Sequence, residues 1–164
     1  MFGLWKTYRV RRAAAAEIIP LVDGTRRRLG SIPDTTWHEP YVVGFIGVLI
    51  TMIALRKAGS LGTDDLAAVQ AGAWTDITGM PKDIFGEEIC FLGASQDSRF
   101  MFGCRNAETF FHALDAARRQ GEQNLGGGAD ASPAPASAEH EARSALWSRY
   151  FDSQLGGPLA ALEM

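Results

Sequence analysis

The residues that could do chemistry in this chain are few and widely spaced. Glu108 and His112 stand four apart, a spacing that on a helix can present two metal ligands side by side. The apolar positions around them argue against that use. Phe110 and Phe111 mark the buried stripe of the same segment, and Glu108 and His112 fall opposite it with Asp115 and Arg119, as a solvated polar face does. A di-iron bundle needs Glu-x-x-His on two helices, and neither copy is present. His38-Glu39 could supply a proton acceptor, but no nucleophile or metal partner is recognisable nearby, so capping and turn roles are expected. His140 lies between Glu139 and Glu141, where exposure is expected.

Cys90 and Cys104 are too few for a disulfide framework and too far apart for a zinc site of close cysteine pairs. Cys90 falls in the apolar run Ile89-Cys90-Phe91-Leu92, where an unreactive buried thiol is expected, and both cysteines read as reduced core thiols of a cytoplasmic protein. Gly126-Gly127-Gly128 lacks the following Lys-Ser/Thr and the preceding strand of a phosphate loop. No catalytic residue, metal site or cofactor is therefore expected.

Charge is divided unevenly. The net charge is −3 and the isoelectric point near 5.6. Residues 1–30 carry +5, leaving −8 for the rest. Arg9, Arg11, Arg12, Arg26, Arg27 and Arg28 are candidates for contact with an anionic surface, alongside the alternative that a basic helix packs on the chain's own acids. The acidic body argues against a dedicated nucleic-acid binder. Arginine outnumbers lysine 13 to 3, a bias expected of a GC-rich bacterial genome. No cleavable signal sequence is expected.

The elements that would position these residues all read as helices. Length (164 residues), apolar content (46%) and charged content (21%) suit a globular chain with a real core. Residues 3–19 predict a helix that Pro20 kinks or ends, followed by a shorter piece closed by Gly30. Ser31-Ile32-Pro33-Asp34-Thr35-Thr36 is turn chemistry, and Pro40 suits a first helical turn.

Tyr41–Leu55 has no charge and is apolar all round, with Gly44, Gly47, Thr51 and Ala54 on one narrow stripe that lets another helix approach. Its length of about 23 Å falls short of a bilayer core, so it is expected to be the central core helix. Thr63-Asp64-Asp65 predicts a cap for a helix ending at Gly79-Met80-Pro81. Shorter helices are expected over Lys82–Leu92 and, capped by Asn106, over Ala107–Gln120 with Gly121 as its stop. The order Ile32-Pro33-Asp34-Thr35, apolar helix, capped helix resembles the core of ubiquinol–cytochrome c assembly chaperones. The resemblance covers less than a third of the chain and rests on no diagnostic motif, so no residue role is carried over from it.

Of residues 121–138, 13 of 18 are Gly, Ala, Ser or Pro, which predicts a flexible linker. Glu139–Leu155 regains helical character. The expected fold is thus an all-α, irregular bundle of five or six helices over 1–120, a linker over 121–138, and a C-terminal helix and tail over 139–164. Leu146, Trp147, Tyr150 and Phe151 crowd one broad face of that last helix and are candidate partner-binding residues; the alternative is that the helix folds back on its own domain, and removal of Trp147 and Phe151 should weaken binding in the first case and stability in the second. The expected function is a non-enzymatic interaction protein, an adaptor, assembly factor or regulatory subunit, that docks on a protein partner or on itself. Two alternatives stand beside it: a peripheral membrane protein using the basic N-terminal helix, and an enzyme or cofactor-binding bundle with a site assembled from scattered residues.

Overall fold

A computed structural model describes residues 2–125 and 135–155 of the chain. They are all-α, with six helices and no strand among the described residues. The order is α1 (Phe2–Leu29), a 3-10 turn (Asp34–His38), α2 (Pro40–Ala58), α3 (Thr63–Thr78), α4 (Lys82–Ala94), α5 (Ser98–Leu125) and α6 (Pro135–Trp147). A π-helical turn, Ser148–Asp152, and a final α turn, Ser153–Leu155, continue α6. Contacts divide the chain into two compact units, Met1–Glu108 and Thr109–Met164, and the division falls inside α5. Of the 121–138 stretch, residues 121–125 belong to α5 and 135–138 to α6, and the glycine triplet lies outside the described residues.

In the first unit α1 runs as one helix from Phe2 to Leu29 with Pro20 inside it, so of the expected kink or end at Pro20 the end does not occur. Proline removes one backbone bond, to the carbonyl of residue 16. Both Ala16 and Pro20 are exposed, so water can take that carbonyl and the helix runs on. Val10, Ala14, Ile18 and Val22 form its buried face, and Gly30, Gly59 and Gly79 end α1, α2 and α3 in positive φ. Thr78 closes α3 further: its Oγ1 donates to Trp74 O and accepts from Met80 N. Pro40 opens α2 as expected. The expected cap of α3 differs in detail, because Gly62 holds the N-cap position and no side chain caps it; Asp65 instead accepts from Thr7 of α1.

α2 is the centre of this unit. Tyr41, Val42, Val43, Phe45, Ile46, Leu49, Ile50 and Ile53 are all buried. It is long and apolar enough to cross a membrane by length and composition, with mean hydropathy 1.7, yet 61% of its most apolar window is buried by the chain itself. The stripe of small residues is used by three different elements. Gly44 lies against Phe100 O and Cys104 Sγ of α5, Gly47 against Phe85 and Ile89 of α4, and Thr51 Oγ1 accepts from Gln70 Nε2 of α3 at 2.6 Å. Gly103 completes the first of these contacts from the α5 side, against Tyr41 O and Phe45 N. Backbone meets backbone there, which only glycine allows.

The start of α5 is the largest departure from expectation. Asp97 Oδ1 accepts from Phe100 N at 2.8 Å, an N-cap that begins the helix at Ser98 instead of near Asn106. Gln96, at φ 51, makes the tight turn after α4. Asn106 spends its amide elsewhere, donating to Tyr41 Oη at 2.9 Å.

Polar ties hold α1 to its neighbours. Arg11 forks onto Asp76 of α3, Nε to Oδ2 at 2.7 Å and Nη2 to Oδ1 at 2.6 Å. Glu17 meets Arg56 Nη2 at 2.6 Å and Lys57 Nζ at 3.1 Å. Burial pushes the Glu17 carboxyl up, but Lys57 and Arg56 together hold it below its ordinary value. A lowered folded-state value means that this stabilisation is present above the unfolded value and is lost as pH falls through the folded one. Glu17→Gln is therefore expected to cost about 1 kcal/mol at neutral pH. The gap between variant and parent should close as the pH is lowered below about 4.5, read from denaturant midpoints at each pH. A gap that stays constant down to pH 3 would show that the pair contributes nothing through its charge.

The second unit is built on aromatic rings. Phe110 of α5 meets Trp147 edge-on at 5.6 Å and Tyr150 at 6.4 Å, and Trp147 lies 4.5 Å from Phe151. Trp147, Phe151 and Phe110 have no exposed surface.

Candidate functional site

Among the potentially chemical residues the fold brings together one pair that local sequence does not show. His38 ends the 3-10 turn and α4 carries Glu88 to it, so that Nδ1 of His38 meets Oε1 of Glu88. Glu39 is not its partner: it occupies the N-cap position of α2 without a side-chain cap bond. A carboxylate on Nδ1 fixes an imidazole and leaves Nε2 free for chemistry, as in a general base or a metal ligand. The surroundings are aromatic rather than reactive. Trp37 meets Trp74 edge-on at 6.3 Å, and Trp74 stacks on Phe85 at 4.4 Å, one turn from Glu88. The second oxygen of Glu88 and Nε1 of Trp74 are both buried without a hydrogen-bond partner. Among the described residues no three His, Cys, Asp or Glu side chains gather as a metal site would need. The pair is best described as a clasp between the turn and α4.

Glu108 and His112 are exposed on α5, and His140 is exposed on α6. Both cysteines are free. Their environments differ from the core thiols expected: Cys90 is exposed and Cys104 half-buried against Gly44. The run Ile89-Cys90-Phe91-Leu92 turns Leu92 inward and presents Cys90 and Phe91 to solvent, since adjacent residues on a helix lie 100° apart. Burial, and then the nearby Glu108 carboxylate, push the Cys104 thiol up. One thiol per native chain should accordingly react fast with a chromogenic disulfide reagent at neutral pH, and the second only on unfolding. Two equally slow thiols would put Cys90 back in the core.

The six arginines proposed for an anionic surface separate into used and exposed. Arg11 is committed to Asp76, and Arg26 to Asp23 at 2.8 Å and to the Ile77 carbonyl. Arg9, Arg12, Arg27 and Arg28 are exposed. The guanidinium of Arg9 lies 4.8 Å over the ring of Trp5, one turn earlier on the same helix. Of the four tail residues proposed for partner binding, Trp147 and Phe151 are fully buried in the second unit, while Leu146 and Tyr150 are half-buried.

Exposed apolar side chains flank the α4–α5 turn, where the sequence pattern suggested no site. Phe91 is 72% exposed, Met101 40% and Phe102 37%, and Phe102 also lies 5.6 Å from Tyr41. A signal was available. On a helical wheel Phe91 lies well off the stripe of Phe85, Ile89 and Leu92, so an apolar side chain there has no place in the core. Comparison with protein families, with curated proteins and with solved structures gives no match to this chain.

Proposed function

We propose that this chain is a non-enzymatic helical interaction protein, an adaptor, assembly factor or regulatory subunit of the cytoplasm, and that it binds the apolar face of a protein partner at the α4–α5 turn. The observation that supports this reading is Phe91, 72% exposed on an ordered helix with Met101 and Phe102 close in the chain. Large apolar side chains left exposed on a surface cost solubility, and where they gather they mark contact sites. Phenylalanine and methionine are enriched where such contacts are centred. Of the tail aromatics, Trp147 and Tyr150 lie against Phe110, so this proposal takes the α4–α5 turn as the docking surface.

The test compares the full chain with Phe91→Ser and Met101→Ser as bait, with mass-spectrometric identification and sedimentation of each protein alone. The reading expects a defined partner, or a concentration-dependent dimer, that both substitutions weaken about tenfold while melting is unchanged. Identical captured proteins and monomeric behaviour for all three would overturn it.

A further inference from the structure

We propose that the outward face of the first two turns of α1, carrying Trp5, Tyr8, Arg9 and Arg12, is a docking site for an anionic bilayer surface. This inference is independent of the α4–α5 surface. The spacing is i, i+3, i+4, i+7, which puts the four side chains on one side of the helix over about 10 Å. The core takes the other side, through Val10, Ala14 and Ile18. Trp5 is 63% exposed and Tyr8 55%, so neither ring is needed for packing.

Neither arginine on this face forms an ion pair among the described residues. Arg12 has no acidic partner among the described residues, and Arg9 rests on the Trp5 ring instead of a carboxylate. Of the nearby acids, Asp76 is paired with Arg11 and Glu17 with Arg56 and Lys57, while Asp65, on the flank, accepts from the neutral Thr7 hydroxyl and keeps its charge. Lys6, also exposed, donates to the Ser60 carbonyl at 3.1 Å and adds a further positive charge.

The chemistry of that face fits a lipid surface better than another polyanion. Tryptophan and tyrosine settle at headgroup level, where the ring is half in hydrocarbon and the N–H or O–H stays wet. Arginines beside them meet lipid phosphates, and the attraction is additive and salt-sensitive. A bilayer surface can be met by one helix face alone. A nucleic acid would extend beyond it, over a chain whose remaining residues carry −8.

The unaltered protein provides its own probe. Of its four tryptophans, Trp37, Trp74 and Trp147 are buried, and Trp5 alone is exposed. Acrylamide quenching of the full chain therefore reads Trp5. Vesicles of phosphatidylcholine mixed with phosphatidylserine are expected to protect it and to co-sediment with the protein, and vesicles of phosphatidylcholine alone are not. Raising the salt should reverse both effects. The variant R9Q/R12Q, altered only at exposed positions, should melt as the parent does and lose roughly tenfold or more of its vesicle affinity, at about fivefold per basic side chain. Quenching of Trp5 unchanged by anionic vesicles would overturn the proposal. So would equal binding to neutral vesicles, or binding unaffected by R9Q/R12Q.

Discussion

Gly103→Ala should be among the most damaging single substitutions in the first unit, lowering stability by about 1–3 kcal/mol although alanine is the better helix former. An added Cβ at 103 would collide with the Tyr41 carbonyl oxygen and crowd Phe45 N, and at 44 it would collide with the Phe100 carbonyl oxygen. These obstacles are backbone atoms and cannot turn aside as a flexible side chain could. To admit a methyl group, α2 and α5 must separate, and the ring contacts between Tyr41 and Phe102 open with them. Gly86, on α4, provides the control. Nothing lies within 4 Å of a Cβ there, so Gly86→Ala should raise stability by about 0.5–1 kcal/mol through helix propensity alone. Thermal melts of the three proteins check both signs at once. Equal melting of parent and Gly103→Ala would mean that the helices do not meet at these glycines.

Trp147→Ala should cost more, about 3–5 kcal/mol, as removal of a fully buried tryptophan does. Phe110 loses its edge-on partner at 5.6 Å and Phe151 its neighbour at 4.5 Å, and a small unit has little stability to spare. Hydrogen exchange is the suitable measurement because it resolves the two units. Protection should vanish from residues 139–155 in the variant and persist in α2. A variant that keeps its protected tail would leave Trp147 to act in binding, as expected from sequence for a docking helix.

The fold class was legible because helical signals act locally. Pro40 at a first turn, the uncharged run to Leu55 and the glycines at 30, 59 and 79 each act within a few residues, and each appears in the structure. What escaped depends on distance or direction. Asp97 was not recognised as the cap of α5, since the mixed pattern around Arg99–Phe102 hides a helix whose buried face is interrupted by Gly103. Glu88 stands 50 residues from His38, and no local pattern joins them. The basic N-terminal residues looked uniform in sequence, yet Asp76 and Asp23 claim two of the six arginines and leave others exposed. Cys90 was expected in the core because its neighbours are apolar, although the helical angle sets it and Phe91 outside.

Central to this account is the burial of α2 by its own chain, not by lipid. Alkaline carbonate extraction of cells producing the full protein tests it directly, since such treatment strips surface-bound chains from membranes and leaves spanning ones behind. With Gly44 and Gly47 closed against α5 and α4, the protein should appear wholly in the supernatant and melt cooperatively without detergent. Retention in the carbonate-washed pellet, with release only by detergent, would contradict it.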